Sequence, residues 1–119
     1  MTIRDALEYV NELYENVFSE KIKLQWLNQI ELEIQVKVLQ RPREETVRYT
    51  QEDMDETMIA PVPFDRLYPE YLIWRIMLTQ GELERAANQK TVFDSAYYAF
   101  VRHVCKQIDG AQNEEERTP

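Results

Sequence analysis

The residue types most often used in catalysis and metal binding are scarce in this sequence. His103 is the only histidine, and the only cysteine, Cys105, lies two positions further along the chain. On a helix these two side chains point about 200° apart, so they do not form a nucleophile and base pair. They are also too few for the four ligands of a zinc site. We interpret His103 as a solvated or interface residue and Cys105 as a small buried apolar residue.

The acidic pair Asp53 and Asp55 has the spacing of a cation-binding loop, but no glycine or bidentate glutamate follows at the calcium-loop offset. Runs of charge are usually solvated, so we interpret this one as a solvated acidic loop. The sequence also lacks the G-x-G-x-x-G, G-x-x-x-x-G-K, G-x-S-x-G and H-E-x-x-H motifs. We therefore predict a protein that is not an enzyme, holds no metal or cofactor, and acts by binding other protein chains.

Length and composition favour a single helical domain. The chain has 119 residues, of which 44% are hydrophobic, enough for one core. Its two glycines cannot serve the many turns of a β-sandwich or barrel. We predict a mainly α fold of about four helices, with an extended loop or β-hairpin between helices two and three. The domain is expected to span residues 1–110, and a flexible acidic tail residues 111–119.

The first helix is predicted to begin at Thr2, whose hydroxyl caps the helix while Asp5 reaches back to it. Apolar residues then follow at spacings of three and four, which indicates an amphipathic helix: Ile3, Leu7, Val10, Tyr14 and Phe18. Asn16 and Ser19 suggest a break between them.

Residues 20–41 fit two patterns. Between Ile30 and Val38 apolar and polar residues alternate strictly, which is typical of a strand. The same stretch places one apolar stripe along a helix, and a second stripe of Leu32, Val36 and Leu39 on the opposite side. Because Glu, Gln, Lys and Leu favour helices, we predict a helix that ends before Pro42. A helix that is apolar on two faces must bury both, so one face is expected to meet another chain.

Residues 42–64 are the least regular part of the sequence, with possible short strands at 46–49 and 58–60. A segment of this length without a helix is uncommon in a compact domain unless it is functional. We predict a projecting hairpin or arm that reaches a neighbouring subunit. The residues proposed for self-association are therefore Leu32, Val36, Leu39, Tyr49, Met58 and Ile59.

Two further helices are predicted after this segment. Helix three begins around Asp65 and carries Gly81 inside its pattern, where a glycine permits a bend or a close approach. Helix four begins at about Val92, capped by Thr91 with Asp94 three residues further on, and ends at about Asp109, with Gly110 just past its end. The tail beyond it carries three consecutive carboxylates proposed to contact a partner: Glu114, Glu115 and Glu116.

The formal charge of −8 argues against a protein that grips nucleic-acid phosphates or docks on anionic membranes. No signal peptide and no run of about 18 apolar residues is present, and one cysteine excludes an internal disulfide. These features predict a cytoplasmic origin with no membrane partner.

Part of the sequence resembles a known family. The stretch Pro61-Val-Pro-Phe-Asp-Arg-Leu-Tyr is followed by Gly81-Glu-Leu-Glu-Arg, then by Asn88 and Phe93-Asp-Ser-Ala-Tyr-Tyr. This order resembles the head–tail connector (adaptor, head-completion) proteins of tailed bacteriophages. Trp26-Leu-Asn is also similar, whereas Ala86-Ala87 stands where the family often has a tyrosine.

The resemblance implies a mainly helical, non-enzymatic virion protein that forms a ring of about twelve copies. Its partners would be its own copies, the portal protein and the next head-completion protein, at the head–tail interface of the virion and in the host cytoplasm during assembly. DNA would only pass through the lumen, whose acidic wall would repel phosphates, although simple solubility explains the acidity equally well. The alternatives are a small acidic DNA-mimic inhibitor, another helical protein-binding module of a phage or prophage, and a metal-dependent phage nuclease.

Overall fold

The computed structural model describes the backbone of residues 1–117 and the side chains of residues 1–111. Four α-helices account for most of this range: α1 (Ile3–Leu13), α2 (Glu20–Glu33), α3 (Leu67–Thr79) and α4 (Leu83–Arg117). The mainly α prediction is therefore confirmed. No β-strand occurs in residues 1–117, where one isolated antiparallel bridge joins Thr2 to Thr57.

The start of α1 follows the prediction. The Thr2 hydroxyl accepts a hydrogen bond of 3.1 Å from the Asp5 amide, and the Asp5 carboxylate accepts one of 3.2 Å from the Thr2 amide. The helix ends at Leu13, so the stripe predicted to reach Phe18 is interrupted. Phe18 lies in the connection to α2, where its ring packs edge-on against Trp26.

The ambiguous stretch is helical, as predicted. After Glu33 the chain continues as a five-residue π-helix, Ile34–Val38, and Gln40 then adopts a positive φ of 56° before Pro42. Ile30 and Ile34 are buried one turn apart, as the helical interpretation requires. The polar residues between the apolar ones divide between two sides, since Glu31 and Gln35 are fully buried whereas Lys37 is exposed.

Gly81 ends α3 instead of lying inside it. Its φ of +80° is a conformation that glycine adopts without a steric cost. The Gly81 amide donates to the Leu78 carbonyl and the Glu82 amide donates to the Met77 carbonyl, the two hydrogen bonds of a Schellman helix end. This turn reverses the chain, and α3 and α4 then pack along each other.

The predicted limits of helix four are wrong at both ends. The helix begins at Leu83, because Thr91 and Asp94 do not form a cap: the Thr91 hydroxyl donates to the Ala87 carbonyl, and Asp94 pairs with Lys90. The helix also continues through Gly110 to Arg117. A glycine inside a helix costs about 1 kcal/mol relative to alanine, which a long helix tolerates.

The core lies between α1, α2, α3 and the first two-thirds of α4. Helix α3 is the central element, because it packs against each of the other three helices. The largest fully buried apolar side chains come from α1, α2 with its π-helical extension, and α3: Ile3, Leu27, Ile30, Ile34, Leu67, Tyr68, Leu72 and Ile76. Helix α4 contributes Ala86, Phe93, Phe100 and Val104.

Candidate interaction surfaces

The segment of residues 42–64 belongs to the core, so the prediction of a projecting arm is wrong. Instead of a hairpin it contains the short 3-10 turns Arg43–Glu45 and Gln51–Asp53, and the stretches 46–49 and 58–60 are not strands. Four of its side chains are buried in the same cluster as the helices: Tyr49, Met54, Met58 and Ala60.

Side-chain amides of α2 and its π-helical extension hold one edge of this segment. The Val47 amide donates to Gln35 Oε1 at 2.7 Å, and Gln35 Nε2 donates to the Val47 carbonyl at 3.0 Å. Two residues further on, Asn28 forms the same pair of bonds with the Tyr49 backbone, at 2.8 and 2.9 Å. The two amides thus take the place of a neighbouring strand, and they satisfy backbone groups that would otherwise lack partners.

A buried carboxylate holds the other part of the segment. Glu31 is fully buried and accepts hydrogen bonds from the Tyr49 hydroxyl at 2.7 Å, the Tyr68 hydroxyl at 2.5 Å and the Ile59 amide at 3.0 Å. The Tyr68 hydroxyl in turn accepts a bond of 2.9 Å from the Ala60 amide. Burial raises the pKa of Tyr68 and of Tyr49, and the adjacent Glu31 raises both further, so both phenols stay protonated and act as donors.

The middle of the segment caps α1. The Arg4 amide donates to the Met54 carbonyl at 2.9 Å, and the Ile3 amide donates to the Glu56 carbonyl at 3.2 Å. The first amides of a helix have no partner within the helix, so these bonds satisfy two of them. The Arg4 and Asp55 side chains also form an exposed ion pair at 2.9 Å.

The structure divides the six residues proposed for self-association. Tyr49 and Met58 are buried in the chain's own core, so their assignment to a surface is wrong. Leu39 and Ile59 are half-buried and pack against that core. Leu32 is 45% exposed and Val36 is half-buried, so only these two remain on the outer side of the second helix.

Leu32 lies in a groove that sequence reasoning did not identify. Two adjoining open cavities of about 330 and 310 Å³ are both lined by Leu32 and Gln29. Val36 lines one and Val47, which is 54% exposed, lines the other. We call this feature the Leu32 groove; its charged lining residues are Glu33, Lys37, Arg43 and Arg48.

The last part of α4 extends beyond the core. Val104 is the last buried residue among those whose side chains are described, and every residue from Cys105 to Ala111 is exposed. Ile108 is 48% exposed. We call residues 105–117 the α4 end. The side chains of Glu114, Glu115 and Glu116, proposed to contact a partner, lie outside the described residues, and the flexibility of the tail remains a prediction.

Three of the residues considered for catalysis or metal binding contact other groups of the fold: His103, Asp53 and Asp55. His103 stacks on Phe64 with 4.5 Å between ring centroids, and Cys105 is exposed, so its predicted burial is wrong. Asp53 accepts a bond of 2.7 Å from the Thr50 amide, whereas Asp55 pairs with Arg4. Among the described residues no group of three or more histidine, cysteine, aspartate or glutamate side chains is placed to hold a metal ion.

Lys23 is a further buried polar residue that the sequence reasoning missed. Only 4% of it is exposed, and its ammonium donates to Asn11 Oδ1 at 2.5 Å and to Asn16 Oδ1 at 3.2 Å. Burial lowers its pKa.

The polar residues that hold the segment of residues 42–64 had a signal in the sequence. Asn28, Glu31 and Gln35 follow one another at steps of three and four, which places them on one face of a helix.

None of the helices described here is both long and apolar enough to cross a membrane. In comparisons with known proteins, no family model, no curated protein and no solved structure matches this chain.

Proposed function

We propose that this chain is a structural subunit of a head–tail connector, which assembles into a ring between the portal protein and the next head-completion protein. The observation that carries the proposal is the α4 end, where the helix continues to Arg117 and every residue from Cys105 to Ala111 is exposed. Isolated helical segments of this length are marginal in water, so a helix extended in this way is typical of one that docks on another chain.

The specific connector assignment is supported by the resemblance over residues 61–100. These residues form the end of the irregular segment, α3, the Gly81 turn and the first half of α4. The Gly81-Glu-Leu-Glu-Arg motif of the resemblance coincides with a turn that requires glycine, and Phe93 and Phe100 coincide with core positions. The motif residues therefore have physical roles in a helical hairpin, which suits a rigid scaffold for a ring subunit.

The charge of the chain suits a lumen through which DNA passes. A net charge of −8 repels phosphates and so prevents bound states along the path of the DNA. A DNA-mimic inhibitor would need carboxylates spaced like phosphates on one exposed surface. Among the described side chains of α4, the exposed carboxylates are Glu84 and Asp109, and Arg85, Asn88, Ser95 and Arg102 occupy other exposed positions.

The test uses the phage or prophage that encodes the chain. Deleting the gene is expected to give filled heads and separate tails, because the joint between them is missing, and a plasmid copy of the wild-type chain should restore tailed particles. Electron microscopy counts the particles, and mass spectrometry of purified virions measures the copies of the chain per portal. Tailed, infectious particles without this protein would contradict the proposal.

A further inference from the structure

The Leu32 groove has the opposite charge to most of the molecule. Its floor is apolar, with Leu32 and Val47 about half exposed. Its rim carries Lys37, Arg43 and Arg48 against a single carboxylate, Glu33. Lys37 pairs with Glu33 at 2.9 Å, and within the described part of the chain neither arginine forms an ion pair. A basic groove on an acidic protein favours an acidic, partly apolar occupant.

The α4 end has those properties. Ile108 is a large apolar side chain that is half exposed, and Asp109 beside it is exposed. By sequence, Asp109 and the three glutamates 114–116 outnumber the two basic residues of the α4 end, Lys106 and Arg117. The groove and the α4 end are therefore complementary both in charge and in apolar content.

The α4 end does not occupy the groove of its own chain, because residues 105–111 are exposed and no described residue of α4 lines either cavity. Helix α4 has 35 residues and is about 52 Å long at 1.5 Å per residue, close to the 59 Å longest dimension of the molecule. Folding back would require breaking the helix after Val104, so another molecule supplies the occupant more readily.

We propose that the α4 end of one copy docks in the Leu32 groove of a second copy. Each chain then has one donor surface and one acceptor surface, so the contact is head-to-tail and repeats around a ring when the rotation between copies closes. The inference rests on the proposed connector function and assigns the contact that holds neighbouring ring subunits together.

The first experiment traps the contact. Equal amounts of ¹⁴N- and ¹⁵N-labelled full-length chains are mixed at high concentration and treated with a carbodiimide, which joins a lysine amine to a carboxylate. We expect mixed-isotope peptides that link Lys37 to a carboxylate of residues 109–116. Leu32→Glu places a charge in the floor of the groove and should reduce these links about tenfold, a difference typical of a disrupted interface anchor. Val17→Glu adds the same charge at a residue that is 93% exposed and should leave them unchanged.

The second experiment tests the head-to-tail geometry. Leu32→Glu disables the groove and Ile108→Glu disables the α4 end, so each variant alone should sediment as a monomer. Their mixture retains one intact interface and should form a one-to-one dimer and nothing larger. Three results would each overturn the proposal: no mixed-isotope links, links that survive Leu32→Glu, or variants that do not complement each other. Binding of the α4 end to the portal but not to a second copy would overturn it as well.

The outcome for this contact is separate from the outcome for the connector role. If the contact is absent and the gene deletion gives tailless particles, the connector role stays intact. If the contact is present and the gene deletion gives normal particles, only the connector role is contradicted.

Discussion

The segment of residues 42–64 and the α4 end differ in a way that reverses the usual association between regular structure and burial. The segment has almost no regular structure, yet Tyr49, Met58 and Ala60 are among the core residues. The α4 end is regular helix, yet every described residue in it is exposed. Regularity describes how backbone groups are satisfied, whereas burial depends on which side chains find apolar neighbours.

The difference follows from where each region finds hydrogen-bond partners. A helix satisfies its own backbone, so the α4 end can extend without help from the rest of the domain. An irregular segment can be buried only when other groups bond to its backbone. Here Asn28, Glu31 and Gln35 supply those bonds, and the polar residues of one helix allow an irregular segment to complete the core.

The largest expected effect is at Glu31. Glu31→Ala leaves the Tyr49 and Tyr68 hydroxyls and the Ile59 amide without their acceptor. Each such buried group costs about 1–3 kcal/mol, so with partial relaxation we expect a loss of about 3–5 kcal/mol in the free energy of unfolding. Urea denaturation followed by circular dichroism measures this loss.

The matched control is Glu33→Ala, which removes only a partly exposed ion pair with Lys37 and should cost less than about 1 kcal/mol. Equal losses in both variants would show that Glu31 does not organise the segment.

A smaller loss is expected at Gln35. Gln35→Ala removes both hydrogen bonds to Val47 and leaves a fully buried position unfilled. The loss is limited because Val47 is exposed, so water can replace the missing partner of its backbone. We expect a loss of about 2 kcal/mol and faster hydrogen exchange at the Val47 amide. Gln25→Ala on the exposed side of α2 is the control and should change neither quantity. Unchanged exchange at Val47 in Gln35→Ala would contradict the role assigned to this amide.

The smallest effect is expected at the α4 end. Truncation after Gly110 removes residues that follow the last buried side chain among those described, so the free energy of unfolding should change by less than about 0.5 kcal/mol. Val104→Ala, less than two turns earlier, removes buried methyl groups and should cost about 1–2 kcal/mol. Thermal unfolding of both variants checks the contrast. A truncated chain as unstable as Val104→Ala would show that the α4 end supports the domain.

Sequence reasoning succeeded where local rules act alone. The Thr2 and Asp5 cap and the helix over the alternating stretch depend on spacing and on neighbouring backbone groups. It failed at Thr91, where a plausible cap lies inside a helix, and at Gly110, where a glycine does not end one. In both cases the local signal is weak compared with the tendency of an established helix to continue.

The sequence by itself determined that this protein is an acidic, mainly helical domain, because composition and periodicity act within one or two turns of chain. Only the tertiary structure decided which polar residues turn inward and which apolar residues remain outside. Glu31 is buried because Tyr49, Tyr68 and Ile59, which are distant in sequence, meet it with donors. Leu32 is the next residue on the same helix and stays 45% exposed, because no element among the described residues fully covers that side.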